Sequence, residues 1–178
     1  VVSPALMAGI GMLESPASIA YLLRTPVAPP IRGDLPTLVL DRVQDPGNVG
    51  SILRSGSALG FVQVVALKGT AALWSSKVVR AGMGAHFALS LIEQADQGAL
   101  SVLTMPWVGT SSHASDVLGR VALPYPCAWV VGHEGQGVAP ALLSACARVV
   151  RIAQPGGEES LNVAVAAAIC MHESVRAL

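Results

Sequence analysis

Charge, aromatic side chains and patterned cysteines are all scarce in this sequence. Only 12% of the 178 residues are charged and 4% are aromatic, whereas 52% are hydrophobic and the mean hydropathy is +0.58. No apolar run approaches the roughly 18 residues that a membrane span needs, so we expect no membrane association. The excess of apolar side chains instead predicts burial in an oligomer interface, and the length predicts one domain with a sizeable core.

An excess of charge of one sign is also missing. Basic and acidic residues number 11 each and the pI is about 7.1, whereas nucleic-acid binders are usually basic. Composition argues mildly against such a partner, although local Arg and Lys clusters remain able to bind one. Cys127, Cys146 and Cys170 have no Cys-x-x-Cys spacing, and the histidines are dispersed. This pattern predicts a reducing compartment, no disulfides and no metal site.

The beginning of the chain reads as the end of something larger. It starts Val-Val-Ser, without an initiator methionine or a signal peptide. Helical and apolar patches occupy residues 1–25, and the proline-rich stretch 25–36 is typical of a linker. We expect a fragment or a processed product, cytoplasmic, or organellar if a transit segment has been removed.

Strands and helices alternate from residue 37 onward. Apolar runs predict strands at 37–41, 62–67, 87–92, 100–105, 127–131 and 149–152. Spacing and composition predict helices at 49–59, 75–82 and 139–147 and a final Ala-rich helix, whereas 111–119 is ambiguous. The alternation predicts an α/β fold: a mainly parallel sheet with helices on both faces.

Ligands of such sheets bind beyond the carboxyl ends of the strands, where three loops stand out. In the first, 45–54, Asn48 is placed to hold the loop, and Arg54 suits a phosphate or a carboxylate. The alternative is a capping Asn and a solvated Arg. In the second, 132–137, Glu134 is free to pair with Arg54, to orient a substrate or to cap the helix near Ala139.

The third loop, 153–162, joins an apolar strand to the Ala-rich helix. Its Gly156-Gly157 pair lets backbone groups approach a ligand closely. Glu158-Glu159 then opens the helix, with Ser160 as its cap. The alternative is an ordinary strand-to-helix turn. The sequence lacks a Walker loop, a dinucleotide fingerprint and a Gly-x-Ser-x-Gly elbow.

In this order the three loops resemble the three signature motifs of the SpoU (TrmH-like) RNA 2′-O-ribose methyltransferases, in the SPOUT superfamily. Residues 45–54, 131–138 and 152–166 resemble the first, second and third motif, and the resemblance extends from about Leu38 to the C-terminus. The family usually has Pro-Met where this chain has Ala153-Gln154. It commonly has Asn or Ser at His133 and Ser at Ala164.

The resemblance implies a C-terminal trefoil knot, S-adenosylmethionine as cofactor, and a homodimer whose last helix packs in the interface. It divides the chain into the end of a ribosomal-protein-like RNA-binding domain (1–26), a linker (27–36) and a catalytic domain (37–178). The implied reaction is methyl transfer to a ribose 2′-hydroxyl of structured RNA, with ribosomal RNA favoured. Transfer RNA, a non-catalytic RNA-binding factor and another nucleotide-binding α/β enzyme are the alternatives.

The resemblance also assigns roles by position. Arg54 would grip phosphate and stabilise the developing alkoxide, because a guanidinium stays protonated in proteins. Four further residues would shape the pocket and fix Arg54: Asn48, Glu134, Ser160 and Asn162. Cofactor binding falls to Gly132, Ile152, Leu161, Val131, Gln154, Gly156 and Gly137. Candidates for the RNA footprint are Arg42, Lys68, Lys77, Arg80 and Arg148.

Overall fold

A computed structural model of the chain describes residues 2–10, 19–156 and 160–176. Its strands are β1 (Thr37–Asp41), β2 (Gln63–Leu67), β3 (Ser90–Ala95), β4 (Trp107–Thr110), β5 (Asp116–Val117), β6 (Ala128–Gly132) and β7 (Arg148–Arg151). Its helices are α1 (Pro4–Ile10), α2 (Pro46–Ala58), α3 (Ser76–Gly82), α4 (Pro140–Ala145) and α5 (Val163–Val175). Short 3-10 helices occupy Ala85–Phe87 and Gln97–Val102.

The strands form one sheet in the order β3-β2-β1-β6-β4-β7-β5. Every pairing in it is parallel, and the strand β1 lies between β2 and the central strand β6. The predicted α/β class is therefore confirmed. The trefoil knot concerns how the last segment threads through the chain, and it stays a prediction.

Both faces of the sheet are covered, as predicted. Alternate residues of a strand point to opposite faces, so Leu38 lies in one core and Val39 in the other. The first core receives α2, α3 and α5, and the second receives α4 and the 3-10 helix at Gln97–Val102. Because β1, β2 and β6 are buried along their whole length, their sequences are continuous apolar runs.

Two of the predicted elements lie elsewhere. The apolar run at 100–105 is not a strand, because Leu100 and Leu103 point into the second core with a period of three from a 3-10 turn. The strand β4 begins after Pro106 instead. The predicted strand at 87–92 is shifted to Ser90–Ala95, because Phe87 ends a 3-10 helix.

The final helix also starts later than predicted. The helix α5 begins at Val163, and Asn162 caps it by accepting from the backbone N–H groups of Ala164 (2.9 Å) and Val165 (3.3 Å). Ser160 is therefore not the cap, because it lies two residues before that position. The predicted opening at Glu158-Glu159 lies outside the described residues.

The N-terminal part packs little against the sheet. Residues 19–30 are exposed throughout, and contact with the domain begins at Ile31, which packs against the second core, and at Arg32, whose N–H donates to Oε1 of Gln63 (2.8 Å). The division into an RNA-binding remnant, a linker and a catalytic domain stays a prediction. Among the described residues, no helix has the length and apolarity needed to cross a membrane.

Candidate active site

The first two loops meet because their strands are neighbours. In the β1–β6 ladder Asp41 is paired with Gly132, so both strands end at the same level of the sheet. The Glu134 side chain then reaches across to the first loop. Its Oε1 accepts from the Asp45 N–H and from Asn48 Nδ2, both at 3.1 Å, and its Oε2 accepts from the Gln44 N–H at 3.2 Å.

The third loop joins this contact through Asn162. Its Oδ1 is occupied by the backbone of α5, so its Nδ2 faces Asn48 and donates to Oδ1 of that residue at 2.9 Å. Asn48 must then present its Nδ2 to Glu134, whose carboxylate only accepts. Each amide therefore has one permitted orientation, and a single line of hydrogen bonds links the three loops.

Hydrogen bonding keeps Glu134 ionised within this line. Partial burial raises the pKa of its carboxyl group. The hydrogen bonds from Asn48 and from the backbone of Asp45, Glu134 and Gln44 lower it and outweigh burial, so the net pKa lies below the ordinary value of 4.5. The charged form is thus the one that holds the first loop.

The loop after β6 closes on itself tightly. A bridge pairs His133 with Gly137, and Nδ1 of His133 accepts from the N–H groups of Gly135 (2.9 Å) and Gln136 (3.2 Å). A Cβ at Gly132 would lie 2.2 Å from the Gly137 carbonyl carbon, which leaves no room for a side chain. Gly132 is therefore required by close backbone approach.

Asp41 ties the end of β1 to the start of α4. It is buried, its carboxylate receives two hydrogen bonds from the Arg42 guanidinium (2.9 and 3.0 Å), and its Oδ2 also accepts from the Ala139 N–H (2.8 Å). The hydrogen bond and the charge of Asp41 raise the pKa of Arg42. Glu134 does not cap α4, because its carboxylate oxygens accept from Gln44, Asp45 and Asn48 instead.

A cavity of about 400 Å³ lies beside the joined loops. Of the predicted cofactor-binding residues, it is lined by Gly132, Gly137, Ile152, Gln154 and Leu161. Val131 does not line it, because that side chain points into the first core, and neither does Gly156. Glu134 and Ser160 line the cavity. Asn48 and Asn162 do not line it; Asn48 is hydrogen-bonded to Glu134, and Asn162 is hydrogen-bonded to Asn48.

One wall of the cavity was missed by the sequence analysis. It is formed by Thr110, the last residue of β4, and by the three residues that follow, Ser111, Ser112 and His113. Because the sequence predicts a strand at 100–105, it places the wrong segment at the carboxyl edge of the sheet. A strand beginning after Pro106 would have pointed to this wall.

Arg54 is not brought into the hydrogen-bond line. It is exposed on α2 and forms no hydrogen bond or ion pair with any other residue that the structure describes. The expectation that Asn48 and Glu134 fix Arg54 is therefore corrected, because they bind each other. Arg54 remains available to a ligand outside the cavity.

The donor set of the cavity fits S-adenosylmethionine. Oε1 of Gln154 is buried and has no hydrogen-bond partner among the described residues, so it is an acceptor suited to a ligand amino group. Apolar walls at Leu143, Val150 and Leu161 suit a purine ring or an aliphatic chain. Gln154 stands where the family usually has methionine, and it adds a polar anchor.

Within the described part of the chain, the cysteines and the possible metal ligands form no second reactive site. Burial raises the pKa of Cys127 and Cys146 to about 11 and that of Cys170 to about 12, so all three are protonated thiols near neutral pH. Among the described residues, no three of His, Cys, Asp and Glu come together in a group able to hold a metal ion.

A parallel α/β sheet with three loops joined beside a cavity defines the class that the resemblance indicated, and sequence comparison identifies the family. The profile of the SpoU rRNA Methylase family matches residues 36–172. The chain therefore belongs to the SpoU rRNA Methylase family, and the resemblance is confirmed.

Named relatives and solved structures agree with this assignment. The 23S rRNA (guanosine-2'-O-)-methyltransferase RlmB of Bordetella pertussis is 35% identical over 150 residues, which cover 82% of this chain and 61% of that protein. The SpoU methyltransferase AviRb from Streptomyces viridochromogenes, solved in complex with AdoMet, superposes with a TM-score of 0.75 at 29% identity, over 83% of this chain and 62% of AviRb.

A solved RNA 2'-O ribose methyltransferase superposes with a TM-score of 0.78 at 30% identity, over 98% of this chain and 70% of that one. The chain thus spans about three fifths of the length of the RlmB relative.

Proposed function

We propose that this chain is the catalytic part of an S-adenosylmethionine-dependent methyltransferase that modifies a ribose 2′-hydroxyl of ribosomal RNA. The observation that carries the proposal is the line of hydrogen bonds through Asn162, Asn48 and Glu134, which joins the three motif loops beside a cavity. That cavity contains the Gln154 acceptor, which has no partner within the part of the chain that the structure describes. Ribosomal RNA is chosen over transfer RNA because the RlmB relative is named for 23S rRNA.

The cofactor would be held in the cavity by the loops after β6 and β7. Gly132, Gly137, Ile152 and Leu161 line the cavity, and Gln154 offers a buried acceptor. Bound S-adenosylmethionine supplies an electrophilic methyl group. We propose that Glu134, Asn48 and Asn162 act as positioning residues, because their hydrogen bonds fix the three loops relative to one another.

Arg54 is proposed to work on the RNA side. Its exposed guanidinium is free of partners within the described residues, so it is able to grip a phosphate and to stabilise negative charge on the 2′-oxygen. A guanidinium remains protonated in proteins, so the proton of the hydroxyl would leave to water or to a phosphate oxygen instead.

A homodimer and a knot belong to the same proposal. Val165 and Ile169 lie one turn apart on α5 and are exposed, although the helix is rich in alanine and its other face is buried. An apolar stripe of this kind suits a partner subunit. The threading of the last segment and an RNA-binding role for residues 1–26 are proposed by family resemblance alone.

The role of Arg54 is tested by replacing Arg54 with alanine and, as a matched control, Arg120 with alanine. Arg120 is also exposed and lies beyond β5, at the far edge of the sheet. We expect Arg54→Ala to abolish transfer of a labelled methyl group to ribosomal RNA while S-adenosylmethionine still binds. The control should retain both properties, and turnover retained by Arg54→Ala would refute the role.

A further inference from the structure

The acidic residues are unevenly distributed along the chain. The whole stretch between Asp45 and Glu93 contains no Asp or Glu, although the complete chain has 11 acidic residues and no net charge. The cations of that stretch are Arg54, Lys68, Lys77 and Arg80. Lys68 is paired with Asp96 at 2.7 Å, whereas the other three form no ion pair within the described residues.

These three cations lie on two helices that pack closely. A Cβ at Gly50 of α2 would lie 2.4 Å from the Ala81 Cβ of α3, so the helix backbones touch at this point. Arg54 follows Gly50 by four residues and therefore projects from the same side of α2. Lys77 lies one turn before Ala81 on α3. The basic surface of α3 is thus next to the proposed reaction side of α2.

Large apolar side chains are exposed close in sequence to Lys77 and Arg80. Phe87 is 90% exposed, Met83 is 70% exposed and Val79 is 41% exposed. Together with Lys77 and Arg80 they form what we call the α3 corner. An exposed aromatic group near cations that have no ion pair among the described residues, and without acidic neighbours in sequence, is uncommon on a protein surface and marks an interaction site.

The α3 corner is rigidly built. His86, next to Phe87, is only 6% exposed, and its Nε2 donates to the Leu73 carbonyl at 2.8 Å. The ring of His86 also packs against Trp74, with centroids 5.1 Å apart. Burying His86 therefore forces Phe87 outward, so its exposure is set by the fold.

The chemistry of the α3 corner fits an unstacked nucleotide. A base stacks on an aromatic face, and Arg or Lys binds the adjoining phosphate. A second copy of the chain fits less well. A two-fold contact at this corner would bring Lys77 and Arg80 of one copy close to the same two cations of the other copy, and like charges repel. Charge thus favours RNA over self-association.

We propose that the α3 corner binds a single-stranded nucleotide of the RNA substrate, with the base on Phe87 and phosphate at Arg80 and Lys77. The proposal rests on the proposed function for the identity of the ligand. It assigns to α3 the role of holding RNA beside the loops, and it gives Phe87 no part in cofactor binding.

The test measures binding of a labelled single-stranded RNA of about ten nucleotides to the chain at several salt concentrations. We expect Phe87→Leu to weaken binding about tenfold, because the apolar volume stays and the stacking face is lost, whereas Phe87→Tyr should bind like the wild type. Arg80→Gln should weaken binding and reduce the salt slope by about 0.7. Arg120→Gln, at the far edge of the sheet, should change neither.

Cofactor titration of the same variants separates this proposal from the proposed function. All of them should bind S-adenosylmethionine like the wild type. Failure of the wild type to bind the RNA, or equal RNA binding by the wild type, Phe87→Leu and Arg80→Gln, would overturn the proposal even if the cofactor binds. A changed oligomeric state in Phe87→Leu with unchanged RNA binding would overturn it in favour of self-association. If the chain binds RNA through the α3 corner but does not bind the cofactor, only the proposed methyltransferase function would be refuted.

Discussion

Replacing Asn48 with aspartate should set two carboxylates against each other at the centre of the site. Asn48 Nδ2 lies 3.1 Å from Oε1 of Glu134, and the substitution replaces this donor by an acceptor of nearly the same shape. The hydrogen bond from Asn162 Nδ2 to Oδ1 of residue 48 is unaffected, because aspartate keeps that oxygen. The perturbation is therefore confined to one contact.

The size of the effect follows from distance and exposure. Two like charges about 3 Å apart repel by roughly 1 kcal/mol in water and by several times more near a protein surface. Because Glu134 is exposed, we expect the lower part of this range, about 1–2 kcal/mol at neutral pH, together with the lost hydrogen bond. For a chain of this length, a loss of about 1–2 kcal/mol lowers the melting temperature by about 2–8 °C.

The pH dependence has a definite sign. In the wild type the hydrogen bonds hold the pKa of Glu134 below its ordinary value, so their stabilisation is present above pH 4.5 and is lost as pH falls through the folded pKa. In Asn48→Asp the two acids raise each other's pKa, so on acidification one of them takes up a proton and restores a hydrogen bond. The gap in melting temperature between the two proteins should therefore shrink toward acid pH.

The assay is thermal unfolding from about pH 4 to pH 8, with Asn48→Ala as control for loss of the donor without added charge. Asn48→Ala should be less destabilised than Asn48→Asp at neutral pH. The melting temperatures of the two variants should converge toward acid pH. Identical pH profiles for the two variants would refute the placement of Asn48 against Glu134.

Three further substitutions probe the supports of the site by thermal unfolding. Gly132→Ala should cost about 3 kcal/mol or more, because the new Cβ would lie 2.2 Å from facing backbone; a stable variant would contradict that contact. Asp41→Asn should cost about 2 kcal/mol, because it places an amide beside the Arg42 guanidinium; an unchanged melting temperature would show that the pair contributes nothing. Ser174→Ala should cost about 1–2 kcal/mol, because it strips the buried Trp129 indole N–H of its acceptor at 2.7 Å; no loss would mean another acceptor replaces it.

The order of strands and helices was largely readable from the sequence, because it depends on burial. The strands β1, β2 and β6 are buried on both faces, so each appears as an unbroken apolar run between turn residues. The run at 100–105 looks the same in sequence but packs its apolar side chains from a 3-10 turn. Apolar content alone does not distinguish a buried strand from a 3-10 turn with buried side chains. Pro106 was the signal that favoured a later strand.

The residues of the site were found by motif resemblance, but their mutual contacts were not. Sequence spacing does not predict that the Asn48 amide binds Glu134 and Asn162 instead of Arg54, because Glu134 and Asn162 are far from Asn48 along the chain. The α5 cap was misplaced for a local reason, because Ser160 and Asn162 are both good caps and only the backbone decides between them.

The most direct test of the central claim is calorimetric titration of S-adenosylmethionine into the chain, with Gln154→Ala and the exposed Gln97→Ala in parallel. Gln154 carries the cavity acceptor that has no partner in the described ranges, whereas Gln97 lies outside the cavity. We predict about one site per chain for the wild type, unchanged affinity for Gln97→Ala and clearly weaker binding for Gln154→Ala. Absence of binding to the wild type, or equal binding by Gln154→Ala, would contradict the assignment of this cavity to the cofactor.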